Sequence, residues 1–146
     1  MIKVQKSDFD VSLEIKKITT NNKNIGGVGS FIGIVRDNND KKLKSMTLEH
    51  YPKMTEKMLE EINSEAKTRW KLIDSIIIHR YGKLYPGDQI VLVATFSQHR
   101  KDALEACEFL IDWLKTKAPF WKLEATNNGE NWVKEKISDL AAAKKW

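Results

Sequence analysis

His99, Arg100, Lys115 and Lys122 are the side chains whose types and spacing best suit chemistry, and they bracket the stretch SQHRKDALEACEFLIDWLKTKAPFWKLE. His99 and Arg100 follow the apolar run QIVLVATFS, so a strand should end and a helix begin at them. Free backbone N–H groups and the helix dipole favour an anion at such a point. Lys115 closes the same helix before Pro119 forbids its continuation, and Lys122 follows in FWKLE, which reads as a short strand. The set suits an anionic substrate, with at least one lysine available for catalysis. A lysine crowded by other cations and partly desolvated loses its proton more readily and becomes a base or nucleophile. The competing explanation makes Lys115 and Lys117 ordinary cations at a helix C-terminus. Arg36, at the end of SFIGIVR, is a solvated arginine unless it joins the other basic groups.

The elements that must position these residues are legible from periodicity. IKVQ forms a short strand, and DVSLEIKKIT forms a helix with Val11, Ile15 and Ile18 on one stripe. GGVGSFIGIVR predicts a strand ending at Arg36, and LKSMTLEHY a strand pairing with it as a hairpin across DNNDKK. Pro52 suits the first turn of the next helix, where Met54, Met58, Ile62, Ala66 and Trp70 recur every four residues. Strands follow at IDSIIIHR and QIVLVATFS. The helix over about 100–117 turns Ala103, Cys107, Leu110, Ile111 and Leu114 inward. FWKLEA and NWV flank an NNGE turn before the basic tail KEKISDLAAAKKW. Interspersed helices and strands with hairpin signals predict an α+β fold.

Other motifs carry less. GGVGSFIG is spaced G-x-G-x-x-x-G and precedes a strand, so close backbone packing explains its glycines better than a phosphate loop. His50, His79 and His99 have no metal-ligand spacing, so no metal site and no cofactor are expected; His50 and His79 read as structural. Cys107 lies on an apolar helix face and reads as a small hydrophobe, so any sulfur the chemistry needs must come from elsewhere. Trp121, beside Lys122, suits packing or a pocket wall equally. The 146 residues predict one domain, 1–146, with 41% hydrophobic residues for its core. The net charge of +5 fits phosphate-bearing molecules, nucleic acid or an acidic partner. A mean hydropathy of −0.49, an N-terminus without a signal-like apolar run, and one cysteine predict a cytoplasmic protein that does not use a membrane.

LEHYPKMTEKML, HRYGKLYPGDQIVLVATFSQHR and DWLKTKAPFWKLE resemble the signature blocks of the large, catalytic subunit of molybdopterin synthase, and SFIGIVR resembles its first block. The blocks keep their order and separations from about residue 26 to the tail. Lys53 departs from the pattern, standing where the family usually has glycine. The resemblance implies an α/β-hammerhead-like fold with antiparallel sheets and two main helices. It also implies a homodimer within a heterotetramer, in which a small ubiquitin-like sulfur-carrier subunit inserts its thiocarboxylated C-terminus. The implied reaction converts cyclic pyranopterin monophosphate (precursor Z) to molybdopterin, in molybdenum cofactor biosynthesis. The family's catalytic lysines fall on Lys115 and Lys122. Its substrate-binding positions fall on Ile34, Val35, Arg36, His99, Arg100, Leu123 and Glu124. A basic position donated by the neighbouring subunit falls on Lys136, where arginine is common, which weakens any bidentate phosphate contact.

A phosphorylated pterin and an anionic peptide terminus both call for the cationic pocket read from the residues. If 99–115 is one continuous helix, its ends lie about 24 Å apart. One pterin cannot touch both, so a pocket at a dimer interface is expected, with His99 and Arg100 of one subunit facing Lys115 and Lys122 of the other. Two readings compete. A basic nucleic-acid-binding module would interleave aromatic and basic residues on one strand face, and here the aromatics are scattered. A non-catalytic scaffold for the carrier is disfavoured by the intact lysine pair.

Overall fold

Apolar runs of strand length and amphipathic runs of helix length alternate along the chain. The computed structural model, which describes residues 1–146, turns them into eight strands and four helices. The strands are β1 (Ile2–Gln5), β2 (Gly27–Ile34), β3 (Leu43–His50), β4 (Leu72–Arg80), β5 (Gly82–Leu84), β6 (Gln89–Ser97), β7 (Phe120–Thr126) and β8 (Gly129–Trp132). The helices are α1 (Val11–Thr19), α2 (Met54–Arg69), α3 (Arg100–Thr116) and α4 (Ile137–Ala143). No helix is long and apolar enough to cross a membrane.

The strands form two four-stranded sheets, ordered β1-β4-β6-β2 and β5-β3-β7-β8. Every pairing is antiparallel except β1 with β4. The architecture is α+β, as the interspersed signals predict. The first sheet is covered on both faces, which explains why β4 and β6 read as unbroken apolar runs. Leu59, Ile62 and Ala66 of α2 and Ala106, Phe109 and Leu110 of α3 pack with Ile77 and Val93. On the opposite face, Val11, Ile15 and Ile18 of α1 pack against Ile76, Ile78, Leu92 and Phe96. Asp10 caps α1 by accepting from the Leu13 N–H. A smaller core of Val35, Leu43, Met46, Leu48 and Leu84 underlies the second sheet.

The expected β2–β3 hairpin does not form. β2 pairs with β6, and β3 pairs with β5 and β7 in the other sheet. The reason is local: Val35 donates its N–H to Asp88 O and accepts from the Gly87 N–H, which ties the end of β2 to the turn before β6. Residues 36–42 then carry the chain between sheets. Pro52 precedes α2 rather than entering it, and the helix starts after Lys53, whose φ is +42°. The buried stripe of α2 runs through Thr55, Leu59, Ile62 and Ala66, which leaves Met54 exposed.

The glycines at the start of β2 have the packing role expected of them. A Cβ on Gly29 would stand 2.4 Å from Ala103 O, and one on Gly26 would stand 2.1 Å from Gln98 O. α3 can therefore lie directly on β2, which fixes where its far end, and Lys115, must fall.

Candidate functional site

A cavity of about 490 Å³ opens between the two sheets at the C-terminal end of α3. The first sheet supplies Phe31–Ile34 of β2, with Val35 and Arg36 just beyond it, together with His79, Ile90 and Val91. The second sheet supplies Met46, Phe120, Lys122 and Glu124. Ile111, Leu114 and Lys115 enter from α3, and residues 133–136, Ser138 and Asp139 close the remaining side. One wall is mostly apolar and the other carries the charge.

Each cation has a structural reason for its place. Arg36 follows the pinned Val35. Lys115 occupies the last turn of α3, one turn beyond the inward Ile111. Lys122 shares a face of β7 with Phe120 and Glu124 because strand side chains alternate. Lys136 arrives because β8 runs back antiparallel along β7 and the pairing continues one rung further, the Val133 N–H donating to Lys122 O at 2.8 Å. Burial, and then the charge of nearby Lys115, lower the Lys122 ammonium from 10.5 to about 8; Asp139 opposes and Lys136 adds to the effect. A lysine of this kind carries an appreciable neutral fraction near neutral pH, so it can take a proton as well as stabilise negative charge.

Of the residues predicted for the site, Ile34, Val35, Arg36, Lys115, Lys122, Glu124 and Lys136 line this one cavity. Leu123 does not, since alternation along β7 turns it to the other face. Trp121 points the same way and packs edge-on against Tyr51, so it forms no wall. Lys136 lines the cavity of its own chain, whereas the resemblance assigned that position to a neighbouring subunit. His99 and Arg100 stand exposed at the opposite end of α3, a single helix of 17 residues, and do not line the cavity.

His79 belongs to the site and the sequence reading missed it. It is 6% exposed and stacks on Phe120 with ring centroids 3.7 Å apart. Burial, reinforced by Lys122 and Lys115, pushes its pKa down to about 3. The available signal was parity: in SIIIHR, His79 shares the Ile77 face, which points toward α3 and the cavity. The His50 ring packs near Tyr81 and Phe120, and its buried Nδ1 has no hydrogen-bond partner. Cys107 is buried as expected, and desolvation raises its thiol to about 12, so it is inert.

Fold and site together define an α+β domain with a lysine-lined cavity between two sheets. The family described as MoaE protein matches residues 4–117. The molybdopterin synthase catalytic subunit of Ralstonia nicotianae is 52% identical over 146 residues, covering 99% of this chain and 83% of that protein. That of Escherichia coli is 52% identical over 122 residues, 83% of this chain and 81% of its own length. Among solved structures, the molybdopterin biosynthesis MoaE protein of Burkholderia ambifaria superposes with a TM-score of 0.86 at 49% identity, covering 100% of this chain and 97% of the other. A complex of subunits 1 and 2 of the Helicobacter pylori molybdopterin-converting factor contains a chain with a TM-score of 0.76 at 25% identity, with 92% and 91% coverage. The chain belongs to the family of molybdopterin synthase catalytic subunits, which are enzymes.

Proposed function

We propose that this chain converts cyclic pyranopterin monophosphate (precursor Z) to molybdopterin, with sulfur from the C-terminal thiocarboxylate of a small ubiquitin-like carrier. The observation that carries the reading is the convergence of Arg36, Lys115, Lys122 and Lys136 on one cavity, with Lys122 shifted to about 8. The volume suits a fused heterocycle plus the end of a peptide. Arg36 holds the phosphate through paired N–H donors. Lys115 stabilises negative charge as it develops on the reacting groups. Lys122, partly neutral, moves protons as the thiocarboxylate gives up its sulfur and the cyclic phosphate opens. Cys107 cannot carry sulfur, which fits a donor-dependent transferase. The two-subunit assembly of the Helicobacter pylori relative supports a carrier partner.

The 17-residue α3, about 25 Å long, keeps His99 and Arg100 away from the cavity of their own chain. We assign them to the cavity of a second copy, in a homodimer within a heterotetramer, acting in the cytoplasm without membrane or nucleic acid. Mixed dimers of a Lys115→Ala chain and a His99→Ala chain should then keep one intact site of two; complete inactivity would refute this arrangement. The function itself is tested by mixing the protein with a thiocarboxylated carrier and precursor Z and assaying dithiolene product. Turnover by the wild type and its loss in Lys115→Ala are expected. No product from the wild type would overturn the reading, and full activity in the variant would remove Lys115 from it.

A further inference from the structure

His79 combines three features that packing alone does not require. Its ring is nine-tenths buried yet borders the cavity that holds Lys115 and Lys122. One face is covered by Phe120, nearly parallel at 13°. Its Nδ1 stands 2.8 Å from Arg80 O. A carbonyl oxygen only accepts, so Nδ1 carries the hydrogen and Nε2 is left with a bare lone pair. No group of the chain hydrogen-bonds to Nε2, and with one face and the Nδ1 edge occupied, the Nε2 edge is what the ring offers the cavity.

The surroundings hold the ring in this form. Lys122 on β7, Lys115 on α3 and His50 on β3 all disfavour a further positive charge, and burial disfavours it more. His79 is therefore a fixed neutral acceptor in a cavity otherwise lined by Arg36 and four lysines, by the carboxylates of Glu124, Glu135 and Asp139, and by Ser138. The cations recognise phosphate and carboxylate oxygens. A guanidinium or ammonium cannot accept from the N–H groups of a heterocycle. The acceptors that face the cavity are His79, the carboxylates of Glu124, Glu135 and Asp139, and Lys122 in its neutral form. Of these, His79 alone is held as an uncharged ring.

We propose that His79 is a specificity residue whose Nε2 accepts a hydrogen bond from a ring N–H or amino group of the substrate's heterocycle. The proposal rests on the function proposed above and deepens it: cations bind the phosphate, and the neutral imidazole contributes an uncharged acceptor for the ring. It separates two ligand classes, since inorganic phosphate engages only the cations.

The test uses the full-length protein with 15N-labelled histidine. In the free protein, the His79 Nε2 signal should lie in the range of an unprotonated, unbonded nitrogen. Precursor Z should move it upfield and inorganic phosphate should not. By calorimetry, His79→Phe, which keeps the stack, should weaken precursor Z binding about ten- to a hundredfold and leave phosphate binding unchanged. His79→Gln, with an amide oxygen able to reach the Nε2 position, should recover much of the loss. If His79→Phe fails to fold, the nitrogen signal in the wild type still decides. A signal unmoved by precursor Z, a signal already shifted in the free protein by a lysine donor, or an equal loss of phosphate binding would each overturn the assignment. Absence of precursor Z binding to the wild type would instead overturn the proposed function and this inference together.

Discussion

The two sheets meet at one cavity but are built on opposite principles. The first sheet is sandwiched between α1 and the α2–α3 pair, and β6 is buried from Val91 to Ser97. The second ends in β8, every residue of which is exposed, and carries the charged residues of β7 toward α4. The first sheet fixes positions through packing: Gly29 lets α3 lie on β2, and the helix then delivers Lys115 to the rim. The second accepts the electrostatic cost, holding Lys122 partly desolvated beside Lys115. Stability should thus reside in one half and the chemistry's charge in the other.

The largest expected effect separates these roles through activity. Lys122→Ala should lower turnover about 10²–10⁴-fold while leaving the melting temperature unchanged or raised, because a desolvated cation is removed. Kinetics paired with thermal melts would check this. A large loss of stability would place Lys122 in the structural half. The converse is Leu110→Ala in the fully buried face of α3, which should cost about 2–5 kcal/mol in denaturant titration.

The pH dependence sharpens the comparison. His79 has a folded pKa of about 3 against an ordinary 6.5, so the unfolded chain binds more protons between those values. Stability should therefore rise with pH over that window, and acidification below 6.5 should cost up to a few kcal/mol. Lys122, about 8 folded against 10.5, gives a second, smaller rise between those values. His79→Phe should flatten the acid limb and Lys122→Met the alkaline one. The smallest effect concerns Lys53, whose φ of +42° is strained for a residue with a side chain. Lys53→Gly should stabilise the protein by about 1 kcal/mol, readable as a rise of a few degrees in melting temperature.

Much of this division was legible in the chain. The apolar runs IDSIIIHR and QIVLVATFS were legible as strands and the glycines of GGVG as close packing, whereas the covering of that sheet on both faces emerged only from the structure. Arg36 and Lys115 were identifiable by type and by their positions at element ends, and Lys122 by type and its place in the short strand after Pro119. Sheet membership was not legible: the β2–β3 hairpin looked right locally, but Val35 is bound by Asp88 and Gly87, far along the chain. His79 was passed over because a histidine in an apolar strand reads as packing until the opposite sheet brings Phe120 and Lys122 against it. The NNGE turn marked the β7–β8 hairpin that returns the chain along β7, but neither composition nor period showed that the residues after it bring Lys136 beside Lys115 and Lys122.

The account stands on cations gathered and partly desolvated in one place. The most direct measurement is the titration of the Lys122 ammonium, followed by NMR through its labelled Cε in the full-length protein. The account predicts a midpoint near 8 and an upward move in Lys115→Ala. A midpoint at the ordinary 10.5, insensitive to Lys115, would contradict it.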